Sequence, residues 1–314
     1  MSLAPIPDTS PDVSIRRVLE QLNSVILGKE RQTRLALACL LARGHLLIED
    51  LPGVGKTTLA HAIAQTLGLQ FQRIQFTSDL LPADIVGVSI FSREDSRFEF
   101  HPGPIFAQLV LADEINRATP KTQSALLEAM EEYQVTVEGV TRPLPQPFFV
   151  IATQNPQEQV GTYPLPESQL DRFLMRVQLG YPDAASERAL LRARDRRELL
   201  RELPPCITPE TLTELQAAVT EVHVADALLD YVQAITAQTR RPGLYRNGLS
   251  PRATLSLVHA AQAWALIDKR HHVLPEDVQR VLPAVAGHRL IPVETAGTAP
   301  ERVITQLIEA VPVP

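Results

Sequence analysis

Cysteine is scarce in this chain. Its 314 residues hold two, Cys39 and Cys206, far apart in sequence and outside any metal-ligand spacing. That excludes a disulfide framework and a zinc ribbon. The eight histidines form no metal-ligand cluster, and His271-His272 reads as a surface turn. Long apolar runs are also missing. Stretches such as Leu35 to Ala42 are far too short to span a bilayer and sit among charges. Positive charge is not in excess: the net charge is −6, so nothing points to a polyanion-binding chain as a whole. The proline-rich start, Met1 to Pro11, lacks the basic end and apolar core of a signal peptide. A reduced, soluble, cytoplasmic protein is expected. With 45% hydrophobic residues at this length, a substantial core and two domains are expected too.

What is present centres on Asp50-Leu51-Pro52-Gly53-Val54-Gly55-Lys56-Thr57-Thr58. An apolar run, Leu46 to Ile48, precedes it. Helical spacing of Leu59, Ile63 and Leu67 follows it. Strand, glycine loop, Lys-Thr and helix make a phosphate-binding P-loop. Glycines let backbone N–H groups curl around a phosphate, and the helix N-terminus adds a positive dipole end. Lys56 is expected to reach the β- and γ-phosphates and the Thr57 hydroxyl to sit on Mg²⁺. One departure stands out: Asp50 occupies the position of the first glycine.

Upstream, Val13 to Leu27 and Glu30 to Arg43 have the apolar spacing of helices, after a leader expected to be disordered over residues 1–12. Downstream, Phe71 to Phe76 reads as a strand. Thr77 to Gln108 reads as a hairpin, Gly87 to Arg93 and Phe98 to His101, inserted within a helical stretch. Leu109 to Glu114 is an apolar strand ending in two acids, the Walker B pattern. Asp113 would hold Mg²⁺ through water and Glu114 would polarise the attacking water. Thr122 to Glu132 is an amphipathic helix. Gln134 to Gln146 reads as a second hairpin turning at Glu138-Gly139. The strand Phe148 to Thr153 delivers Asn155 to the carboxyl edge of the sheet, where ligands bind in open α/β folds. Asn155 is then either a water-orienting group or turn chemistry before Pro156.

Arg172 precedes a last strand, Leu174 to Leu179. It is either an arginine finger or a salt-bridge partner of Asp171 or Glu167. From Ser186 onward only helices are expected: Ser186 to Arg201, Pro209 to Val219, Asp226 to Thr239, Pro251 to Lys269, Pro275 to His288 and Pro300 to Ala310. Arg192, Arg194, Arg196, Arg197 and Arg201 alternate with acids and read as a solvated helix face. Arg252 opens one of these helices and is a candidate to project onto the phosphates.

Together these residues resemble an AAA+ ATPase of the MoxR type, from about Val13 to the C-terminus. The resemblance is most specific at Glu49 to Thr57, at Ala112 to Ala118 and at Ala152 to Phe173. Asp in place of the first P-loop glycine also occurs in that family. The resemblance implies an αβα P-loop core with a parallel sheet over residues 13–182 and an all-α lid over 183–314. It makes Asn155 sensor 1, Arg172 a finger acting on a neighbouring subunit, and Arg252 sensor 2. Thr77 to Gln108 becomes the helix-2 insert and Gln134 to Gln146 the hairpin before sensor 1. Val25 to Gly28, with Ile26 and Leu27, borders the adenine. Gly53, Val54, Gly55, Lys56, Thr57 and Thr58 cradle ATP, and Thr57 with Asp113 holds Mg²⁺. Arg117 is placed facing a neighbour.

The implied activity is Mg²⁺-dependent ATP hydrolysis by a homo-oligomeric ring, a hexamer by analogy. The implied role is chaperone-like remodelling or maturation of other protein complexes. Partners with a von Willebrand factor A domain, and help in metal-cofactor insertion, belong to the same analogy. Two other readings stay open: a nucleic-acid motor, disfavoured by the acidic balance, and a nucleotide-dependent scaffold or switch with little turnover.

Overall fold

The structure is a computed structural model that describes residues 10–93, 96–156, 161–192, 196–293 and 300–313. Most of the expected leader, the Glu94-Asp95 turn and the Arg194-Asp195 pair lie outside these residues.

The first half runs α1 (Pro11–Val25), α2 (Glu30–Leu41), β1 (Leu46–Glu49), α3 (Lys56–Thr66), β2 (Phe71–Gln75), α4 (Pro82–Val86), β3 (Gly87–Ser92), β4 (Arg97–Pro102), β5 (Leu109–Asp113) and α5 (Pro120–Glu132). Then come β6 (Gln134–Val137), β7 (Val140–Pro143), β8 (Phe149–Gln154), α6 (Glu167–Leu170) and β9 (Met175–Val177). Among the described residues the elements that follow are helices: α7 (Ala184–Arg192), α8 (Arg196–Glu202), α9 (Pro209–Thr220), α10 (Asp226–Thr239), α11 (Pro251–Ile267), α12 (Pro275–Ala286) and α13 (Pro300–Ala310).

Five strands form one parallel sheet in the order β2-β5-β8-β1-β9. A parallel sheet is covered on both faces, which is why β5 and β8 read as nearly unbroken apolar runs. Their residues divide by parity. Leu46, Ile48, Leu109, Leu111, Phe149 and Ile151 join one apolar cluster with α1, α2 and α3. Leu47, Val110, Ala112, Val150 and Ala152 join a second with Leu126 and Leu127 of α5. The first cluster continues into α9 to α12 through residues such as Leu212, Leu257 and Val281, so the helical lid packs on the core.

Two hairpins stand apart from the sheet: β3–β4, the expected insert, and β6–β7. The second turns at Glu138-Gly139, both with positive φ, the conformation of a tight two-residue hairpin turn. Arg142 of β7 lies over the Phe100 ring of β4, 3.8 Å from its centroid, and links the hairpins.

Local differences from expectation have simple causes. Helix α1 opens at Pro11, inside the stretch expected as leader, because proline suits the first helical turn. The stretch expected as a helix over Ser186 to Arg201 is helical where it is described, at Ala184–Arg192 and Arg196–Glu202.

Candidate active site

The carboxyl edge of the parallel sheet collects the phosphate loop, the two acids and Asn155. Gly53 and Gly55 have φ of 82° and 98°. A Cβ on either would meet nothing within 4 Å, so the glycines serve the left-handed backbone, and the space beside them is open. Lys56 opens α3, and its Nζ donates to the Asp50 carbonyl at 2.5 Å. Thr57 and Thr58 follow in the first turn and line a cavity of about 630 Å³ with His61, Arg73, Leu200 and Arg201.

Asp50 has a structural task that the motif does not reveal. Its buried carboxylate accepts three backbone N–H groups: Leu51 at 2.8 Å, Leu179 at 2.5 Å and Gly180 at 2.6 Å. It therefore fastens the start of the loop to the chain leaving β9. Charge-assisted bonds of this kind are the strong class.

The segment before α2 lies against the linker to the lid. Ile26 is buried and Leu27 half-buried. A Cβ on Gly28, with φ +66°, would lie 2.3 Å from Ser186 Oγ. Lys29 Nζ donates to the Tyr181 carbonyl at 2.7 Å.

At the end of β5, Asp113 is nearly buried. Its Oδ1 accepts the Thr153 hydroxyl at 2.5 Å, and its Oδ2 accepts Arg73 Nε and Nη2 at 3.0 and 2.7 Å. Glu114 turns the chain in the left-handed region, φ 58°, an uncommon conformation outside glycine that clusters at functional sites. Its N–H donates to Thr153 Oγ1 at 2.9 Å. Its carboxylate accepts Gln75 Nε2 at 2.9 Å and pairs with Arg117 Nε at 3.0 Å. Arg117, expected to face a neighbour, thus pairs within its own chain. Asn155 is buried directly after β8, whose last residue, Gln154, donates to Glu49 Oε1 at 2.7 Å.

Sequence reasoning missed Thr153, Arg73 and Gln75. Thr153 was visible as the polar residue ending an apolar strand. The other two alternate on an edge strand, and pattern alone does not say what they touch.

Arg172 and Arg252 lie elsewhere. Arg172 Nη2 pairs with Glu131 Oε2 at 3.0 Å, and Arg252 Nη2 pairs with Glu131 Oε1. Both line a cavity with Gly44 and His45, which precede β1, so they sit at the amino edge of the sheet. The four residues of β1 separate that edge from the P-loop by roughly 13 Å. Arg252 therefore does not lie over the phosphates of its own chain, contrary to expectation. The cause is the docking of α11. Ser250, its N-cap, donates to Asp171 Oδ2 at 3.0 Å, and Arg289 Nε donates to Asp171 Oδ1 at 2.7 Å. With Asp171 so engaged and Glu167 accepting Asn247 at 2.6 Å, neither is the partner of Arg172.

Two buried histidines brace this edge. His45 Nδ1 accepts the Val150 N–H at 3.0 Å, and its Nε2 faces the Met130 carbonyl at 3.0 Å. Burial lowers its pKa to about 4. His288 Nε2 lies 3.1 Å from the Phe173 carbonyl. Burial, then Arg289 and Arg176, hold its pKa well below the ordinary histidine value.

Among the described residues no helix is long and apolar enough to cross a membrane, and no cluster of His, Cys, Asp or Glu forms a ready metal site. Residues 45–175 match the ATPase family associated with various cellular activities (AAA), and residues 238–307 match the AAA lid domain. The chain is 46% identical to YeaC of Bacillus subtilis over 95% of its length and 94% of that protein's. It is 39% identical to the chaperone MoxR1 of Mycobacterium tuberculosis, covering 96% of this chain and 82% of MoxR1. MoxR of Paracoccus denitrificans is 35% identical over 93% and 94% of the two chains. A crystal structure of a protein described as an ATPase candidate from Cytophaga hutchinsonii superposes with a TM-score of 0.88, at 35% identity, over 97% of this chain and 96% of that one. The chain belongs to the MoxR-type AAA+ ATPases.

Proposed function

We propose that this chain hydrolyses ATP with Mg²⁺ as part of a homo-oligomeric ring, and uses the cycle to remodel or mature other protein complexes. The observation that carries the reading is a division of labour across the sheet. Lys56, Thr57, Asp113, Glu114 and Asn155 meet at the carboxyl edge, while Arg172 and Arg252 share one carboxylate at the amino edge.

The residues present fit the groups that the family implies. Open space beside two left-handed glycines suits a phosphate chain. A carboxylate and a hydroxyl, Asp113 and Thr57, are the hard oxygen donors that Mg²⁺ takes. Bound there, the metal would neutralise charge on the β- and γ-phosphates. Lys56 gives up the Asp50 carbonyl to pair with the same phosphates. Glu114 accepts a proton from the attacking water, and Asn155 orients that water. Arg172 and Arg252, remote from their own P-loop, reach the nucleotide of a neighbouring subunit. A hexamer closes such a site most simply by analogy with the family.

The client is read as protein. MoxR1, a relative, is a chaperone by name. On the β3–β4 hairpin Ile90, Phe91 and Phe98 are exposed, with the two phenyl rings in edge-to-face contact. We place partner contact there, with a von Willebrand factor A domain protein as the partner class and metal-cofactor insertion as the pathway. Phosphate release from ATP, compared in Mg²⁺ and in EDTA while light scattering follows the mass, tests the reading. Turnover confined to Mg²⁺ and to the assembled state supports it. Nucleotide binding without turnover at any mass contradicts it.

A further inference from the structure

Asp113 already carries a cation supplied by the protein itself. Arg73 aims two N–H groups at its Oδ2, and Thr153 donates to Oδ1, so both carboxylate oxygens are engaged. Arg73 also borders, with Thr57, the cavity beside the first turn of α3. The guanidinium thus rests on the carboxylate assigned to the metal and adjoins the hydroxyl assigned to it. Its Nη2 donates further, to Gln75 Oε1 at 2.7 Å, and Gln75 Nε2 donates to Glu114 Oε2 at 2.9 Å. A continuous hydrogen-bonded chain therefore joins the two acids, Asp113 to Arg73 to Gln75 to Glu114.

Electrostatics makes this arrangement exclusive. A nearly buried carboxylate is costly without a counter-charge, and Arg73 provides one. A divalent cation arriving at the same oxygen repels the guanidinium at close range. Arg73 has somewhere to go: its side chain is 49% exposed, on an edge strand that opens to solvent, so water can take up the guanidinium once another cation neutralises Asp113. Its departure also removes the donor that orients the Gln75 amide, and so loosens the hold on Glu114.

We propose that Arg73 is the resident counter-cation of Asp113 in the nucleotide-free protein, and that a divalent cation–nucleotide complex must displace it to bind. Displacement also removes the donor that holds the Gln75 amide against Glu114, while the Glu114–Arg117 pair stays in place. The proposal rests on the nucleotide-site reading above. Arg73 is a positioning residue that acts through the two acids.

The test is binding of a fluorescent ADP analogue to wild type, R73Q, R73K and K56A, each across a series of Mg²⁺ concentrations. For R73Q the half-saturating Mg²⁺ should fall at least about fivefold, because no cation has to leave a charge-assisted bond. Its affinity without Mg²⁺ should stay within about twofold of wild type. R73K, a cation with a single donor point, should lower the requirement by a smaller factor, and it carries the test if R73Q does not fold. An unchanged or higher Mg²⁺ requirement in these variants overturns the proposal. So does a tenfold loss of Mg²⁺-free affinity, which would make Arg73 a phosphate ligand. Failure of the underlying reading looks different: K56A would bind as well as wild type, and the proposal would fall with it. A second readout needs no nucleotide. Mg²⁺ alone should raise the melting temperature of R73Q more than that of wild type, and equal shifts count against the displacement.

Discussion

Arg172 and Arg252, one from the turn before β9 and one from the first turn of the lid helix α11, are joined through a single carboxylate, that of Glu131. Neither reaches its own P-loop. Each should therefore matter for turnover and not for nucleotide affinity. Arg172→Ala and Arg252→Ala should each keep ATP affinity within about twofold and lower hydrolysis at least about tenfold, Arg172→Ala more, since a finger contributes roughly 10³ to 10⁵ in rate. Parallel measurements of binding and phosphate release check this. A large loss of affinity in Arg252→Ala would mean that this residue holds the bound nucleotide and does not act on turnover alone.

Glu114→Gln separates binding from chemistry. The amide cannot take the proton of the attacking water, so hydrolysis should fall at least about a hundredfold while ATP still binds. Single-turnover phosphate release is the measurement. Near-normal turnover would mean that another group is the base.

Asp50→Gly should weaken the protein, although it restores the glycine usual at that position. Three backbone N–H groups would lose their acceptor, two of them across the link to the chain after β9. A loss of about 2–4 kcal/mol is expected in denaturant unfolding. A variant as stable as wild type would show that the link is not needed.

Acid should destabilise the amino edge. The folded pKa of His45, about 4, lies below the ordinary histidine value, so its contribution is complete above about pH 6.5. That contribution is lost as pH falls from there towards 4, and for this one group it amounts to about 3 kcal/mol. Protonating Nδ1 would set a donor against the Val150 N–H. His288, also held neutral by burial and by Arg289 and Arg176, adds in the same direction. Melting temperature measured across pH 4 to 7 should fall on the acid side. His45→Gln should be less stable at neutral pH yet show a shallower acid decline, and an equally steep one would remove His45 as the cause.

The legible parts of this chain were those whose physics is local. Leu109 to Asp113 and Phe149 to Thr153 announced buried parallel strands by continuous apolar runs, and the P-loop announced itself by glycines that the backbone needs. Asp113 closing β5, Glu114 just beyond it and Asn155 after β8 followed from strand ends. Relations across strands and between domains were not legible. Arg73 meets Asp113 only because β2 lies beside β5 in parallel register. Arg252 reaches Glu131 only because Ser250 and Arg289 dock the lid on Asp171.

The central claim is an active site shared between subunits, and mixing two inactive variants tests it most directly. Lys56→Ala lacks the phosphate lysine but keeps Arg172, and Arg172→Ala has the converse defect. Combined in equal amounts with ATP and Mg²⁺, the two should hydrolyse ATP well above the sum of their separate rates, because some interfaces pair an intact P-loop with an intact finger. Mixed assemblies that form, as verified by mass, yet show only the summed rates would contradict the shared site.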